Sequence, residues 1–500
     1  MNLTYFVFFL AIVVGTLIIT HWAAGRSNTT HQFYVASGNL TGFQNGMAIA
    51  GDYISSASFL GIAGLIAFHG YDGFIYATGF LVSYVILLFL IAEPVRNLGT
   101  YTLGDVVAER FPGNGMRLAV AISAIIISLL YMIPQLVASG LLIHLLLGVD
   151  YAAAVWIIGI LMTLYVVWGG MFATSWVQII KTVLLMSGTI LLILILFSRV
   201  NWDIGILLDQ TVKNSPLGEK FFFPGNLFDS VIESFSLMLA LVLGTAGLPH
   251  ILIRMFTVKD VKDTRLSVLT ASWIIGLFYL MTLLLGIGAI GFVGWEELVT
   301  VDPSGNLSAL VLAEFLGGDF LVAFVTAVAF ATIIAVVTGL VFAATSTFSH
   351  DIYFHIIKKR KADEQEQLRV ARITAIMMGC LSILLSLGMK ESNVAFLVSF
   401  MFATAASTIM PLLILTFYWK RFNKVGALTG LATGFIAVFF LYVLGPQVLG
   451  IISLYNPGII AIPLGFFSAI VGAFCAKRDN QGTSFEELKV KIHTSIGGRQ

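Results

Sequence analysis

Hydrophobic residues run through this chain in blocks of about twenty, each closed by a short polar or glycine-rich interval. Such blocks lie at 3–22, 44–68, 74–95, 117–147, 152–170, 176–198, 229–250, 267–293, 319–348, 369–388, 394–418, 425–445 and 458–476. At 1.5 Å rise per residue, twenty residues reach across a hydrocarbon layer about 30 Å thick. The pattern predicts an all-α polytopic membrane protein with 13 transmembrane helices. The first block has no basic residues ahead of it, which reads as a first span rather than a cleaved leader.

Composition agrees. The chain is 58% hydrophobic and 11% charged, against roughly 45–50% and about 25% in soluble domains. Charge then gives orientation. Of the 27 Lys and Arg, one alternating set of loops holds only Arg199, Lys213, Lys220 and Lys390, while nearly all the rest lie on the other set. By the positive-inside rule the N-terminus is expected outside and the C-terminus in the cytoplasm, in a cell (plasma or inner) membrane. The longest polar pieces are the 199–228 loop, "HIIKKRKADEQEQLRVAR" and the 477–500 tail. None is long enough to suggest a soluble or signalling domain. "YTLGDVVAERFPG" predicts a short cytoplasmic helix with Thr102 as N-cap and Asp105 at N3, where its charge suits the helix dipole.

One stretch breaks the hydropathy rule. Gly51 to Gly64, "GDYISSASFLGIAG", places a carboxylate and three serines inside a predicted span. A charged side chain at the bilayer centre costs about 2.5–3.5 kcal/mol on insertion scales, so Asp52 invites a functional reading beside a structural one as a hydrogen-bonded carboxyl. Glycine and serine also make a helix easy to interrupt, which frees carbonyls for a cation and N–H groups for an anion. A second interruption, "GTAGLPH" at Gly244 to His250, falls in the block at 229–250. Secondary transporters are often built from inverted repeats whose first helices are both broken. The spacing therefore predicts repeats at 44–198 and 229–418, with residues 1–30 as an extra N-terminal span, 425–476 as two C-terminal spans and 477–500 as a cytoplasmic tail.

Enzymatic readings fare badly. There is no phosphate-binding G-x-x-x-x-G-K-[ST] loop and no H-E-x-x-H pair; the eight histidines are scattered. Cys380 and Cys475 lie in separate apolar blocks and suggest neither a disulfide nor a metal site. No enzyme activity, cofactor, nucleic acid or obligate protein partner is expected.

"AIAGDYISSASFLGIAG", "YTLGDVVAERF", "YVVWGGMFATSWVQIIK", "GLPHILIRMFTVKD" and "ATSTFSHDIY" together resemble the sodium:solute symporter family, and their wording is closest to its bacterial acetate permease branch. The resemblance covers about residues 30–425. It implies a leucine-transporter-type core of five plus five inverted-repeat helices. It also implies a secondary active symporter that couples inward Na+ or H+ movement to uptake of acetate or a related short-chain monocarboxylate by alternating access. A passive anion channel, or a symporter for another small solute, is the alternative.

Carried over by position, the cation-facing carbonyls belong to Gly51 and Ile54. Two hydroxyl residues expected before the D-[IL]-Y motif fall on Ala335 and Val336, neither of which offers a side-chain oxygen; Thr332 and Thr338 are near. Where relatives carry an Asp, this chain has Gln178, with Lys181 three residues on. Three readings follow: Asp52 restores a Na+ site, Asp52 or Lys181 carries a proton, or Lys181 snorkels to the headgroups. No metal beyond a coupling Na+ is expected. For a carboxylate, the helix starts at Ser55, Ser56 and Ser58 and at Thr245 to Gly247 offer donors. Tyr131 and Gln135, beside the kinking Pro134, are further candidates, and Arg254 is a candidate gate or a plain loop anchor.

Overall fold

The computed structural model describes residues 3–24, 29–55, 57–228, 230–389, 394–442, 456–476 and 483–494. Every regular element among them is helical, apart from one isolated parallel bridge between Leu40 and Val258. The helices are α1 (Leu3–Ala24), α2 (Thr30–Val35), α3 (Gly42–Tyr53), α4 (Ala57–His69), α5 (Tyr71–Leu98) and α6 (Leu103–Arg110). Then come α7 (Asn114–Leu147), α8 (Tyr151–Arg199), α9 (Ile204–Asn214), α10 (Val231–Ala246), α11 (Val261–Phe292) and α12 (Trp295–Val301). The chain ends with α13 (Ser308–Thr347, continued by a π-helical Phe348–Ile357), α14 (Glu364–Gly388), α15 (Val394–Tyr418), α16 (Lys424–Phe439), α17 (Gly458–Cys475) and α18 (Phe485–His493).

Among the described residues ten helices are long and apolar enough to cross a membrane, and the bent pair α3–α4 makes an eleventh. The tally differs from the predicted thirteen for two reasons. Helix α8 counts once although its 49 residues would extend about 74 Å if straight; Gly170, at φ 56 and ψ −159, divides it. Helix α1 (Leu3–Ala24), which carries the first apolar block, is not among the ten. A similar glycine turn at Gly318 (φ 62, ψ −160) separates Ser308–Leu316 from the long central part of α13. Both glycines hold backbone angles that a side chain would strain.

Polar residues at the block edges set where the helices start. Thr41 and Gln44 form a reciprocal capping box at α3, and Asp150, Ser230, Asp260 and Asn423 cap α8, α10, α11 and α16. Each side-chain oxygen takes an N–H that has no partner within the helix. Helix α13 occupies the centre, with nearly every residue from Leu321 to Thr347 buried. Helix α3 lies close along α11 because glycines line the contact. A Cβ on Gly46 would come within 2.7 Å of the Ser267 carbonyl oxygen, the small-residue packing that membrane helices favour.

The tail folds back on the body. Phe485–His493 forms a helix with a Ser484–Glu487 capping box, burying Leu488 and Ile492. Asn97 donates to the Ile492 carbonyl at 2.7 Å, Lys491 pairs with Glu109 at 2.5 Å, and Lys420 pairs with Glu486 at 2.7 Å.

Candidate solute and coupling-ion site

Both Gly-rich interruptions are breaks in helices. Helix α3 stops at Tyr53, Ile54 turns extended (φ −70, ψ 97), and α4 restarts at Ala57 after a 68° bend. The break strands carbonyls at the end of the first half and N–H groups at the start of the second. Helix α10 ends at Ala246, Leu248 is extended, and a short turn led by Pro249 carries the chain through Arg254 to Thr257. Pro249 sits in the first helical turn, where its missing N–H is no loss.

Asp52 joins the two breaks. Its Oδ2 accepts from Arg254 Nε at 2.5 Å, and its Oδ1 accepts from Gln178 Nε2 at 2.5 Å. Arg254 also donates to Ser175 Oγ at 2.5 Å, and Gln178 to the Ala335 carbonyl at 2.6 Å. Asp52 and Arg254 are each 1% exposed. The carboxylate lies against α13 because residue 339 is glycine; a Cβ there would meet Asp52 Oδ1 at 2.5 Å. One buried ion pair thus binds α3, α8 and α13 to the turn after the second break. Such a pair persists only if its remaining lone pairs and protons are satisfied, and Gln178 and Ser175 do that.

Lys181 lies three residues beyond Gln178, on the same face of α8. Its side chain does not reach the headgroups: it is 2% exposed, and Nζ donates to the carbonyls of Gly51 and, at 2.6 Å, Ile54. Thr332 and Thr338 turn inward along their own helix, donating to Val328 at 2.8 Å and Ile334 at 2.6 Å. Ala335 and Val336 present no side-chain oxygen.

Beside the first break is a cavity of about 70 Å³, walled by Tyr53, Tyr76, Phe80, Tyr131 and Phe402 and lined also by Ser55, Ser58 and Asn306. Phe80 bridges the walls, with its ring 5.2 Å from those of Tyr53 and Phe402. Of the sequence candidates, Ser55, Ser58 and Tyr131 line this cavity. Gln135, Thr245 and Gly247 are near the second break or one turn along α7 but do not line it, and Ser56 lies outside the described residues. Sequence reasoning missed the aromatic wall. It also missed His250, which is buried with its ring 5.5 Å from that of Tyr131 and neither nitrogen hydrogen-bonded within the described residues.

A second charged network joins α6, α7 and the end of α13. Arg117 reaches Asp105 at 2.8 Å and Asp351 at 2.5 Å, Thr102 donates to Asp351 at 3.0 Å, and His350 meets Asp105 at 3.2 Å. Two motifs far apart in sequence, "YTLGDVVAERF" and "SHDIY", are thereby joined. Asp105, His350 and His355 bring ligand atoms within 4.8 Å. Both Asp105 oxygens are already engaged, one by Arg117 and one by the Tyr101 N–H, so the group is an ion-pair lock rather than a metal centre. Burial pushes the Asp105 carboxyl up, but His350 and Arg117 outweigh it and hold the group well below the ordinary carboxylate range. A depressed folded-state value stabilises the fold above the unfolded value near 3.9 and loses that contribution as pH falls below it. Asp105→Asn is accordingly expected to lower the thermal midpoint most above about pH 5, the gap beginning to narrow only as pH falls below about 4. Unfolding scans of both proteins across that range check it, and a gap that is constant with pH would count against the ionic role.

Two broken helices around a buried charge cluster and a small cavity are the build of a multi-pass helical transporter of the ion-coupled type. The profile of the Sodium:solute symporter family matches residues 33–434, and the chain belongs to that family. The chain is 53% identical over 508 residues to the uncharacterized symporter YwcA of Bacillus subtilis (strain 168), spanning 99% of each. Its fold is similar to that of a Na+-coupled sialic acid symporter in a substrate-bound outward-open state (TM-score 0.80, 16% identity, 96% of this chain and 99% of that one). It is also similar, at TM-score 0.54 and 15% identity, to MhsT in complex with L-phenylalanine, over 86% of this chain and 98% of that one. These neighbours share the leucine-transporter-type fold. The protein is a membrane symporter of this family and not an enzyme.

Proposed function

We propose that this symporter takes up a short-chain monocarboxylate, with acetate as the reference substrate, driven by inward cation movement through alternating access. The observation that carries the reading is the cavity at the first break. A water needs roughly 10–15 Å³ of such space, so a cavity of about 70 Å³ suits a solute of a few heavy atoms. Its hydroxyls, from Ser55, Ser58 and Tyr131, gather at the start of α4, where free N–H groups and the helix dipole favour an anion. The aromatic walls leave space for only a short apolar tail.

In this reading the chain crosses the membrane thirteen times, with α8 crossing twice about Gly170 and α1 crossing once, N-terminus outside and C-terminus in the cytoplasm. The repeats run over 44–198 and 229–418. The Arg117–Asp105–Asp351 lock then holds the cytoplasmic side while the cavity stands nearer the outer loops that carry Asn306.

The test is uptake of labelled acetate into proteoliposomes under an imposed cation gradient. Accumulation above the outside concentration is expected; equilibration without accumulation would mean a passive pathway. Tyr131→Phe is expected to raise KM about 3–10-fold through one lost hydrogen bond. Unchanged acetate kinetics in that variant would remove Tyr131 from the solute site.

A further inference from the structure

We propose that Gly61 and Asn306 set the specificity of the solute site, and that the solute it prefers is a two- or three-carbon 2-hydroxy monocarboxylate. The hydroxyl donates to Asn306 Oδ1 in the space that Gly61 leaves open. The inference rests on the reading of this cavity as a carboxylate site and deepens it.

Glycine weakens a helix relative to alanine, so a glycine with helical angles calls for a reason. At Gly61 neither backbone nor packing supplies one. Its angles are ordinary for a helix (φ −64, ψ −47). A Cβ there would meet nothing closer than Asn306 Oδ1 at 3.8 Å and the Ala57 Cβ at 4.0 Å. Gly64, one turn on, is the contrast: a Cβ there would collide with the Gly305 carbonyl, so that glycine is what admits the loop before α13. Gly61 instead borders open space, and that space belongs to the solute cavity. It continues into an outer cavity of about 190 Å³ that shares Ala57, Gly61, Ser304, Asn306 and Val394 with the first, so the pair stands where the two meet.

A braced loop delivers Asn306 to that space. Between α12 and α13 the Asp302 carboxylate accepts from the Ser304 N–H at 2.9 Å, the Ser304 hydroxyl at 2.6 Å and the Leu307 N–H at 2.9 Å. Gly305 takes the left-handed angle that turns the chain (φ 74). Asn306 Nδ2 donates to Ser304 Oγ at 2.8 Å, which fixes the amide. Its Oδ1 faces Gly61 and takes no hydrogen bond from the described residues. A carboxamide oxygen only accepts, so the solute group it selects is a donor and not an oxo group. No carboxylate lines the cavity to answer an ammonium, and an unpaired buried charge is costly; the donor is therefore a hydroxyl. Spacing fixes where the solute carries it. Ser58 and Gly61 are three residues apart on α4, roughly 4–5 Å along the axis. An acid whose carboxylate sits among the hydroxyls of Ser55, Ser58 and Tyr131 thus presents a substituent on its second carbon to Asn306.

Calorimetric binding of acetate, propionate and glycolate to the purified full chain, with sodium present and absent, tests this. Propionate and glycolate differ only in a methyl for a hydroxyl, so their ratio reads the hydrogen bond and not the size. Wild type is expected to bind glycolate about 3–10-fold more tightly than propionate, the worth of one net hydrogen bond. Asn306→Leu is expected to bring that ratio to about one while acetate affinity stays within about twofold. Gly61→Ala, whose methyl fills the space, is expected to weaken glycolate and propionate at least about fivefold and acetate far less. Equal binding of glycolate and propionate by wild type overturns the inference, as does a ratio that survives Asn306→Leu. Variants that weaken all three acids alike also overturn it, since a merely structural role would do that. Thermal unfolding establishes that each variant is folded; should one not be, the wild-type ratio and the other variant still decide. Acetate binding without any hydroxyl preference sinks this inference alone, whereas a folded wild type that binds none of the three acids sinks the monocarboxylate reading and this inference with it.

Discussion

Asp52→Asn is expected to abolish concentrative uptake and to cost about 3–5 kcal/mol of stability, the range for breaking one partner of a buried ion pair. The amide keeps the shape but leaves Arg254, 1% exposed, with its charge unanswered in the middle of the bundle. Arg254→Gln is expected to be equally damaging from the other side. The pair Asp52→Asn with Arg254→Gln removes both charges and is expected to recover much of the loss in stability, since contacting residues are not additive, while uptake stays absent because the two breaks are no longer tied together. Thermal unfolding and proteoliposome uptake of the three variants check this. Full uptake by Asp52→Asn at a wild-type unfolding midpoint would reduce Asp52 to a packing residue.

The second large effect is expected at Arg110, at the end of α6. Its guanidinium donates to the carbonyls of Leu415 at 3.2 Å, Thr416, Trp419 at 2.8 Å, Lys420 at 3.1 Å and Phe422 at 2.9 Å. The last carbonyls of α15 have no partners within their own helix, and this one side chain serves them together with the turn that follows. Burial with no carboxylate beside it pulls the guanidinium down to about 10, still charged throughout the physiological range. Arg110→Gln is expected to cost about 3–5 kcal/mol, because several buried acceptors lose a charged donor at once. Arg110→Lys should restore only part of that, an ammonium having no planar fork to spread over the five. Unfolding midpoints settle the order: wild type highest, Lys next, Gln lowest. A Lys variant as stable as wild type would mean that charge alone, and not the fork, holds the turn.

How legible was this in the sequence? The span pattern and the two interruptions could be read directly, because lipid forbids unpaired backbone and so turns glycine and proline inside an apolar block into a signal. Asp52 stood out for the same reason. Arg254 and Lys181 were harder. A basic residue near the end of an apolar block looks the same whether it anchors in the headgroups or folds inward, and only the position of α8 against α3 separates the cases. The cavity wall was not legible at all: Phe80 and Phe402 look like any lipid-facing aromatic until α5 and α15 are packed together. The α18 helix left little trace, since Leu488 and Ile492 are two apolar positions in an otherwise charged stretch. The acetate branch is carried by motif wording alone.

That terminal helix has a consequence of its own. It is clamped to Asn97 and Glu109 on one side and to Lys420 on the other, so it spans a seam between parts of the protein far apart in sequence. When those parts shift against each other, the clamp must slide, stretch or let go. A reporter dye on the tail paired with one near Lys420 therefore gives a running gauge of the working stroke. By the same token, a bulky fusion placed close behind His493 is expected to slow uptake, which proteoliposome transport by such a fusion checks.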